Sequence, residues 1–257
     1  MSQIIPPFDH FEMETGPKNQ FGSPIWQTTK IGLCARAPES PWIEARWTAR
    51  KLYEHYQQLG PFQLFMSGGI DSEAMALSFL AESIPVRAMI GRYNGVGRGG
   101  LNEPDYKHAV SFCQEHNIPF DYFDVDLDDF FLNQKKHLEY AKLDDCRSPQ
   151  LAIHLHIFEN TKGFPLVASN PTDIIEAPHL NSPFLGFPGE PHGSYGRHFH
   201  RLKRPAIPYF FHATPELTYS FFATPQFRKE ITEALRQLRP YVWDNFLKRK
   251  PQAFSSY

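Results

Sequence analysis

The sequence predicts an α/β fold: a doubly wound, mostly parallel five-stranded sheet, with an N-terminal arm before it and a helical C-terminal part after it. Three observations lead there. Between residues 62 and 168, short apolar runs alternate with stretches of helical periodicity, the spacing of strand–helix–strand units that build a parallel sheet. The first of these runs ends in a glycine-rich turn that opens a helix, at the carboxyl end of a strand, where such sheets bind their ligands. The chain has 257 residues, 41% hydrophobic and 21% charged, an ordinary balance that can cover both faces of one sheet.

The elements follow in order. Residues 1–40 are rich in Pro, Gly and Ser and read as an ordered arm with room for a hairpin. A helix opens at Ser40-Pro41, with Ser as cap and Pro in the first turn. Trp42, Ala45, Ala49, Leu52, Tyr53 and Tyr56 share one face of it, and Gly60-Pro61 ends it. Residues 62–66 form a buried strand, followed by the turn 67–72 and a helix to about Ser83. A second strand covers 85–90. The loop Gly91 to Gly100 then leads to a helix capped by Asn102, with Tyr106, Ala109, Val110 and Cys113 at helical spacing. The third strand is 120–125, helical material spans 128–143 and 148–159, and the fourth strand is 164–168.

From Pro178 the pattern changes. Residues 178–212 are dense in Pro, Gly, His and aromatics without a period, which reads as a long functional loop lying over the strand ends. Two helix starts follow, Thr214-Pro215-Glu216 and Thr224-Pro225-Gln226, each with a Thr cap and Pro at the first helical position. The tail 236–250 is amphipathic and basic. Three parts result: an arm (1–40), a nucleotide-binding core (41–177), and a lid loop with a C-terminal helical region (178–257).

Composition narrows the function. Lys plus Arg is 26 and Asp plus Glu is 28, a net charge of −2, which excludes a broadly basic nucleic-acid-coating surface but not a local basic patch. No apolar run is long enough to span a membrane. The first residues lack a basic region followed by an apolar one, so no secretory signal is expected and the cytoplasm is the expected location. Cys34, Cys113 and Cys146 lie far apart with no CxxC pair, against a disulfide framework or a cysteine-built metal cluster.

Ser67-Gly68-Gly69-Ile70-Asp71-Ser72 carries the chemistry. Two glycines let the backbone turn sharply and approach a ligand. Unpaired N–H groups at a helix start, with the helix dipole behind them, attract an anion. Ser67 and Ser72 add hydroxyls. No lysine follows, so this is not the GxxxxGK[ST] loop. A carboxylate beside a phosphate repels it; Asp71 makes sense where Mg²⁺ lies between the two.

This hexapeptide is the SGGxDS signature, and with it the chain resembles the PP-loop (N-type) ATP pyrophosphatases, whose fold is the Rossmann-like adenine nucleotide α-hydrolase (HUP) type. By chance, five such fixed positions arise in a chain this long on the order of a few times in ten thousand. The resemblance covers roughly residues 60–217. It implies ATP and Mg²⁺ as ligands, with Met66, Ser67, Gly68, Gly69, Ile70, Asp71, Ser72, Ile90, Arg92 and Gln150 around the nucleotide. Cys146-Arg147-Ser148-Pro149-Gln150 precedes a helix and the fourth strand, as an ATP-contacting Arg/Gln segment does in NAD synthetases. Ser169-Asn170-Pro171-Thr172-Asp173-Ile174-Ile175-Glu176 resembles the stretch after the same strand in GMP synthetases. It makes Asp173 and Glu176 candidates to hold Mg²⁺ with Asp71; the alternative is an acidic helix start favoured by the dipole.

The family often carries a lysine on a Pro-aromatic segment, which steadies leaving pyrophosphate. The equivalent stretch here, 205–217, has none; Lys203, Arg204 or His212 could supply the charge. Asp71, Lys203 and Arg147 are therefore the implied catalytic groups. The implied reaction adenylylates a carboxylate or carbonyl oxygen of a small-molecule or nucleobase acceptor, releases pyrophosphate, and ends with capture by ammonia or an amine from a separate donor. A non-catalytic ATP or AMP sensor and a nucleoside- or tRNA-modifying enzyme are the alternatives. No membrane partner is implied, and a homodimer is left open.

Other groups carry less. His154 and His156 lie on a helix, where i,i+2 side chains diverge. His198 and His200 could converge only on an extended chain. Arg197, Arg201, Lys203 and Arg204 could contact phosphate or a carboxylate, or form a solvated basic loop. Arg92 and Arg98 in the Gly91–Gly100 loop could clamp phosphate.

Overall fold

The structure, a computed structural model, describes residues 11–15, 27–95, 100–169, 173–177, 182–186 and 189–223. In the arm, β1 (Phe11–Thr15) and β2 (Gln27–Ile31) pair antiparallel. Helix α1 (Pro41–Tyr56) starts as its sequence dictates: the Ser40 hydroxyl accepts the Ile43 N–H at 3.4 Å, and Pro41 takes a position that needs no donor. One 3₁₀ turn over Gln57–Leu59 and Gly60 then reverse the chain.

The sheet comprises β3 (Phe62–Phe65), β4 (Val86–Asn94), β5 (Phe120–Asp126) and β6 (Phe164–Leu166), in the order β5-β4-β3-β6, all parallel. Helix α2 (Ile70–Ala81) links β3 to β4, and α3 (Glu103–Glu115) links β4 to β5. The chain then crosses to the far side of β3 through a π turn at Asp129–Asn133, α4 (Lys136–Asp144) and α5 (Pro149–Asn160). Strand order reverses between β3 and β6, and that is the switch point of the sheet.

Four strands are described where five were expected. The fifth position holds a single parallel bridge, Leu166 to Ile207, with the Ile207 N–H on the Pro165 carbonyl and the Val167 N–H on the Ile207 carbonyl, both at 2.9 Å. Pro205 and Pro208 flank Ile207 and donate nothing to a ladder, so the strand stops at one residue.

Alternation along the strands builds two cores. Phe62, Leu64, Ala88 and Ile90 face one layer with α1, α2 and α3; Met89 and Val125 face the other with α4 and α5. The sheet is thus covered on both sides, as the doubly wound expectation requires.

Beyond β6, β7 (Asp173–Ala177) and β8 (Ser182–Gly186) form an antiparallel hairpin, and α6 (Gly189–Leu202) follows. The irregular loop expected over 178–212 therefore contains a strand and a fourteen-residue helix. The helix escaped notice because its buried stripe is Ser194, Tyr195, His198 and Phe199, half of it polar. Helix α7 (Pro215–Ala223) starts as expected, with Thr214 Oγ1 accepting the Leu217 N–H at 3.2 Å. The second start at Thr224 and the basic tail lie outside the described residues. No helix among the described residues is long and apolar enough to cross a membrane.

Leu64 is fully buried in the strand between both crossovers. Leu64→Ala should lower stability by about 2–5 kcal/mol, read as a lower urea midpoint with an unchanged slope.

Candidate functional site

The turn after β3 is shaped by one left-handed residue. Gly68 has φ +82°, and a Cβ there would lie 2.2 Å from the Asp105 carbonyl oxygen in the first turn of α3. Only glycine fits, for a reason of packing as well as conformation. Gly69 is extended (φ −95°, ψ 157°) and is the N-cap of α2, yet no side chain caps that helix. The Glu73 N–H closes the first turn on the Gly69 carbonyl at 3.3 Å. The N–H groups of Ile70, Asp71 and Ser72 lie ahead of it in the first turn, where the helix offers them no acceptor. They lie at the positive end of a twelve-residue helix, an anion-binding arrangement.

The serines do something other than the expected donation to ligand. Ser67 Oγ accepts the Gly69 N–H at 3.3 Å and donates to Ser72 Oγ at 3.3 Å, while Ser72 Oγ donates to the Gly69 carbonyl at 2.7 Å. Both hydroxyl protons brace the turn. Ile70 is 80% exposed beside it.

Asp71 is half-buried, and burial raises its carboxyl above the ordinary range with no cation to offset it. Among the described residues it has neither hydrogen bond nor ion pair. A carboxylate in that state suits a divalent cation. Asp173 and Glu176, the other candidate ligands, lie on β7, so their stretch is a hairpin strand and not a helix start.

Other expected contacts fall elsewhere. The side chains of Met66 and Ile90 are in the core, leaving only their main chain to meet a ligand; the Met66 N–H itself is bonded to the Met89 carbonyl at 3.0 Å. Arg92 belongs to β4, not to a loop. Its guanidinium forks onto Asp124 of the edge strand at 2.7 and 2.6 Å and lies over the Tyr122 ring at 4.0 Å, so it is turned to β5 and not to the 67–72 turn. Arg98 lies outside the described residues. Asn102 is the N-cap residue of α3, as expected, but its side chain makes no capping bond; it accepts the Tyr93 N–H and donates to the Gly91 carbonyl, both at 2.9 Å, and so ties the loop to β4.

Arg147 and Gln150, both exposed, sit at the start of α5. That helix delivers the chain to the amino end of β6, so its own start points toward the carboxyl edge, the side of the 67–72 turn. Lys203 is placed oppositely. The chain runs from Lys203 to Ile207 parallel to β6, and the neighbouring Arg204 donates to the carbonyls of Phe158 and, at 3.0 Å, Gly163, just before β6 begins. Lys203 is thus on the amino side of the sheet. His212 is buried, with Nδ1 3.5 Å from Thr218 Oγ1. Of the three expected substitutes for the family lysine, Lys203 and Arg204 thus lie at the amino side, whereas His212 follows Phe210, whose N–H bonds the Val167 carbonyl just beyond β6 at 2.9 Å.

The histidines do not assemble. Helix α6 sends His198 and His200 to different faces, and burial pushes His154 down to about 4, with Nδ1 2.7 Å from the Tyr195 hydroxyl. Among the described residues no three His, Cys, Asp or Glu side chains gather as a metal site.

One residue at the crevice was passed over. Phe62 pairs with Phe164 and Leu64 with Leu166, so Ser67, two residues past β3, and Ser169, three past β6, both follow the carboxyl ends of the strands that flank the switch point. Ser169 is left-handed at φ +55°, unusual for a serine, and its buried Oγ has no partner among the described residues. Its sequence signal was only its place just after a strand.

Together these features define a parallel α/β protein with a tightly packed strand–turn–helix, uncapped by any side chain among the described residues, at its switch point. No protein-family profile matches the chain, and no curated protein matches it in sequence. Solved structures similar to it include an NMN synthetase from Francisella tularensis, at 15% identity over 51% of this chain and 56% of that one, TM-score 0.37. This chain thus spans little more than half of that protein. An NH3-dependent NAD synthetase from Campylobacter jejuni is 17% identical over 81% and 86%, TM-score 0.40. A U34-tRNA thiolase from Methanococcus maripaludis is 16% identical over 82% and 74%, TM-score 0.35.

The turn generates two expectations. Gly68→Ala should destabilise the fold, since its Cβ meets backbone, whereas Gly69→Ala, whose Cβ would lie 3.4 Å from Ser67 Oγ, should melt near wild type. Equal melting temperatures would refute the packing account. Asp71→Asn should raise stability at neutral pH, because a raised carboxyl pKa means the ionised form opposes folding. The gain should shrink as pH falls through the raised value and vanish where the wild-type group is protonated in both states.

Proposed function

We propose that the chain binds Mg-ATP at the 67–72 turn and cleaves it between the α- and β-phosphates, passing the adenylyl group to a carboxylate or carbonyl oxygen of a small-molecule or nucleobase acceptor. Capture of that adenylate by ammonia or an amine would complete an amide-ligase reaction. The observation that carries this reading is the SGGIDS turn at the carboxyl end of β3, with the first-turn N–H groups of α2 beyond it and Asp71 unpaired beside them. Those N–H groups would receive the leaving pyrophosphate, and Asp71 would hold Mg²⁺, with Asp173 or Glu176 as the further ligand. Mg²⁺ supplies charge neutralisation on the phosphates. Ser169 Oγ, unpartnered at the same crevice, is a donor available to the nucleotide. Arg147, on the same edge, is the cation best placed to meet phosphate.

A second reading has its own support. Lys203 lies at the amino edge of the sheet, and Arg204 is committed there to main-chain carbonyls. A chain whose 205–217 segment lacks the family lysine, with Arg147 unable to replace it as pyrophosphate departs, would bind ATP or AMP without turnover, as a sensor.

Chromatography of ATP labelled at the α-phosphate in one reaction and at the γ-phosphate in another separates the two. The enzyme reading expects AMP and pyrophosphate in equal amounts, slow alone and faster when acceptor-containing extract is added, with Ser169→Ala reducing the rate by about tenfold, the scale of one ordinary hydrogen bond. ADP as the main product overturns it. Tight ATP binding with no product in any condition establishes the sensor.

A further inference from the structure

The end of α4 is bound to α6 through more charge than a connector requires. Asp144 is 0% exposed, and its carboxylate accepts from His198 Nδ1 at 2.8 Å and from Arg201 Nε and Nη2 at 2.8 and 2.9 Å. Its main-chain carbonyl accepts from Arg197 Nε at 3.0 Å. Burial alone would raise the Asp144 carboxyl, but Arg201 and His198 outweigh it and hold it below the usual range. A carboxylate only accepts, so His198 carries its proton on Nδ1. The buried triad holds α6 and the last turn of α4 as one unit.

Asp145, the next residue, is left-handed at φ +53° and turns outward. Its Oδ1 accepts from Arg147 Nη2 at 3.1 Å, and its Oδ2 lies 3.5 Å from Arg197 Nη2. One carboxylate therefore serves two guanidinium groups, one on the segment opening α5 and one on α6. All three side chains are partly exposed, so neither pair is strong. Arg147 can leave Asp145 for another anion without stranding that carboxylate, because the Asp144 carbonyl keeps Arg197 beside it.

We propose that Asp145 and Arg197 are positioning residues that hold Arg147 ready at the carboxyl edge and release it to the phosphates of bound nucleotide, with Asp144 as the buried anchor of the assembly. This rests on the nucleotide-binding reading above. Arg197 acts by taking over the counter-charge of Asp145 as Arg147 moves; it does not touch the nucleotide.

The test is a double-mutant cycle on Mg-ATP affinity, by calorimetry, in the full chain. Arg197→Gln should weaken binding by about threefold, the scale of an exposed ion pair, because Asp145 then competes for Arg147 alone. Asp145→Asn removes that competition and should bind at least as tightly as wild type. The double variant should match Asp145→Asn, since Arg197 then has nothing to compensate. Arg197→Lys, which keeps the charge but loses the fork, should recover part of the loss. A threefold loss from Arg197→Gln that persists in the Asp145→Asn background would mean a structural role or a direct contact, and would overturn the proposal. No loss from Arg197→Gln would overturn it as well. Wild-type protein that binds no Mg-ATP would fail the nucleotide reading itself, and this exchange with it; intact wild-type binding with a flat cycle would fail the exchange alone.

Discussion

Gly68 brings bare backbone against the first turn of α3, closer than any side chain would permit. That approach lets β3 end and α2 begin within a few residues while α3 packs alongside, so the two helices following the first two strands meet at the sheet's carboxyl edge. Ser67 and Ser72 then stiffen the turn by bonding within it. With the hydroxyls committed inward and no capping side chain, the first N–H groups of α2 are left without an acceptor from their own helix. The capacity to receive an anion is thus a consequence of how tightly the turn is packed.

The treatment of carboxylates sets this edge apart from the rest of the molecule. Glu44 is buried and forks onto Arg36 at 2.6 and 2.7 Å. Asp144 is buried and triply bonded, and Glu82 is claimed by Arg46 and Arg50. Asp71 is half-buried and, among the described residues, has no hydrogen bond or ion pair. A fold that pairs these three acidic groups and leaves one desolvated at the mouth of its anion-binding turn carries a local stability cost, the usual mark of a site kept for a ligand.

Legibility in the sequence followed the range of the interaction involved. Ser40, Thr214 and Ser148 cap helices through contacts three residues away, and the local pattern sufficed to place those starts. The glycine turn was equally plain, because its hexapeptide holds all the residues that form it. Helix α6 was not legible: it buries Ser194 and His198 along with aromatics, and polar residues in a stripe erase the apolar period on which helix recognition depends. Arg92 and Arg197 were read as free loop cations, yet their partners Asp124 and Asp145 are 32 and 52 residues away, beyond any local pattern.

By itself, then, the sequence determined the alternation of strands and helices, the caps, and a turn whose chemistry calls for an anion and a cation together, since each is settled by residues a few positions apart. Tertiary structure alone decided which charges reach that turn. Parallel pairing carried Lys203 to the amino side of the sheet, turned Arg92 toward the edge strand, brought Ser169 to the same carboxyl edge as Ser67, and linked Arg147 to α6 through Asp145. Those outcomes depend on strand register and on which face each helix covers, and both are fixed only when the whole chain closes around its two cores.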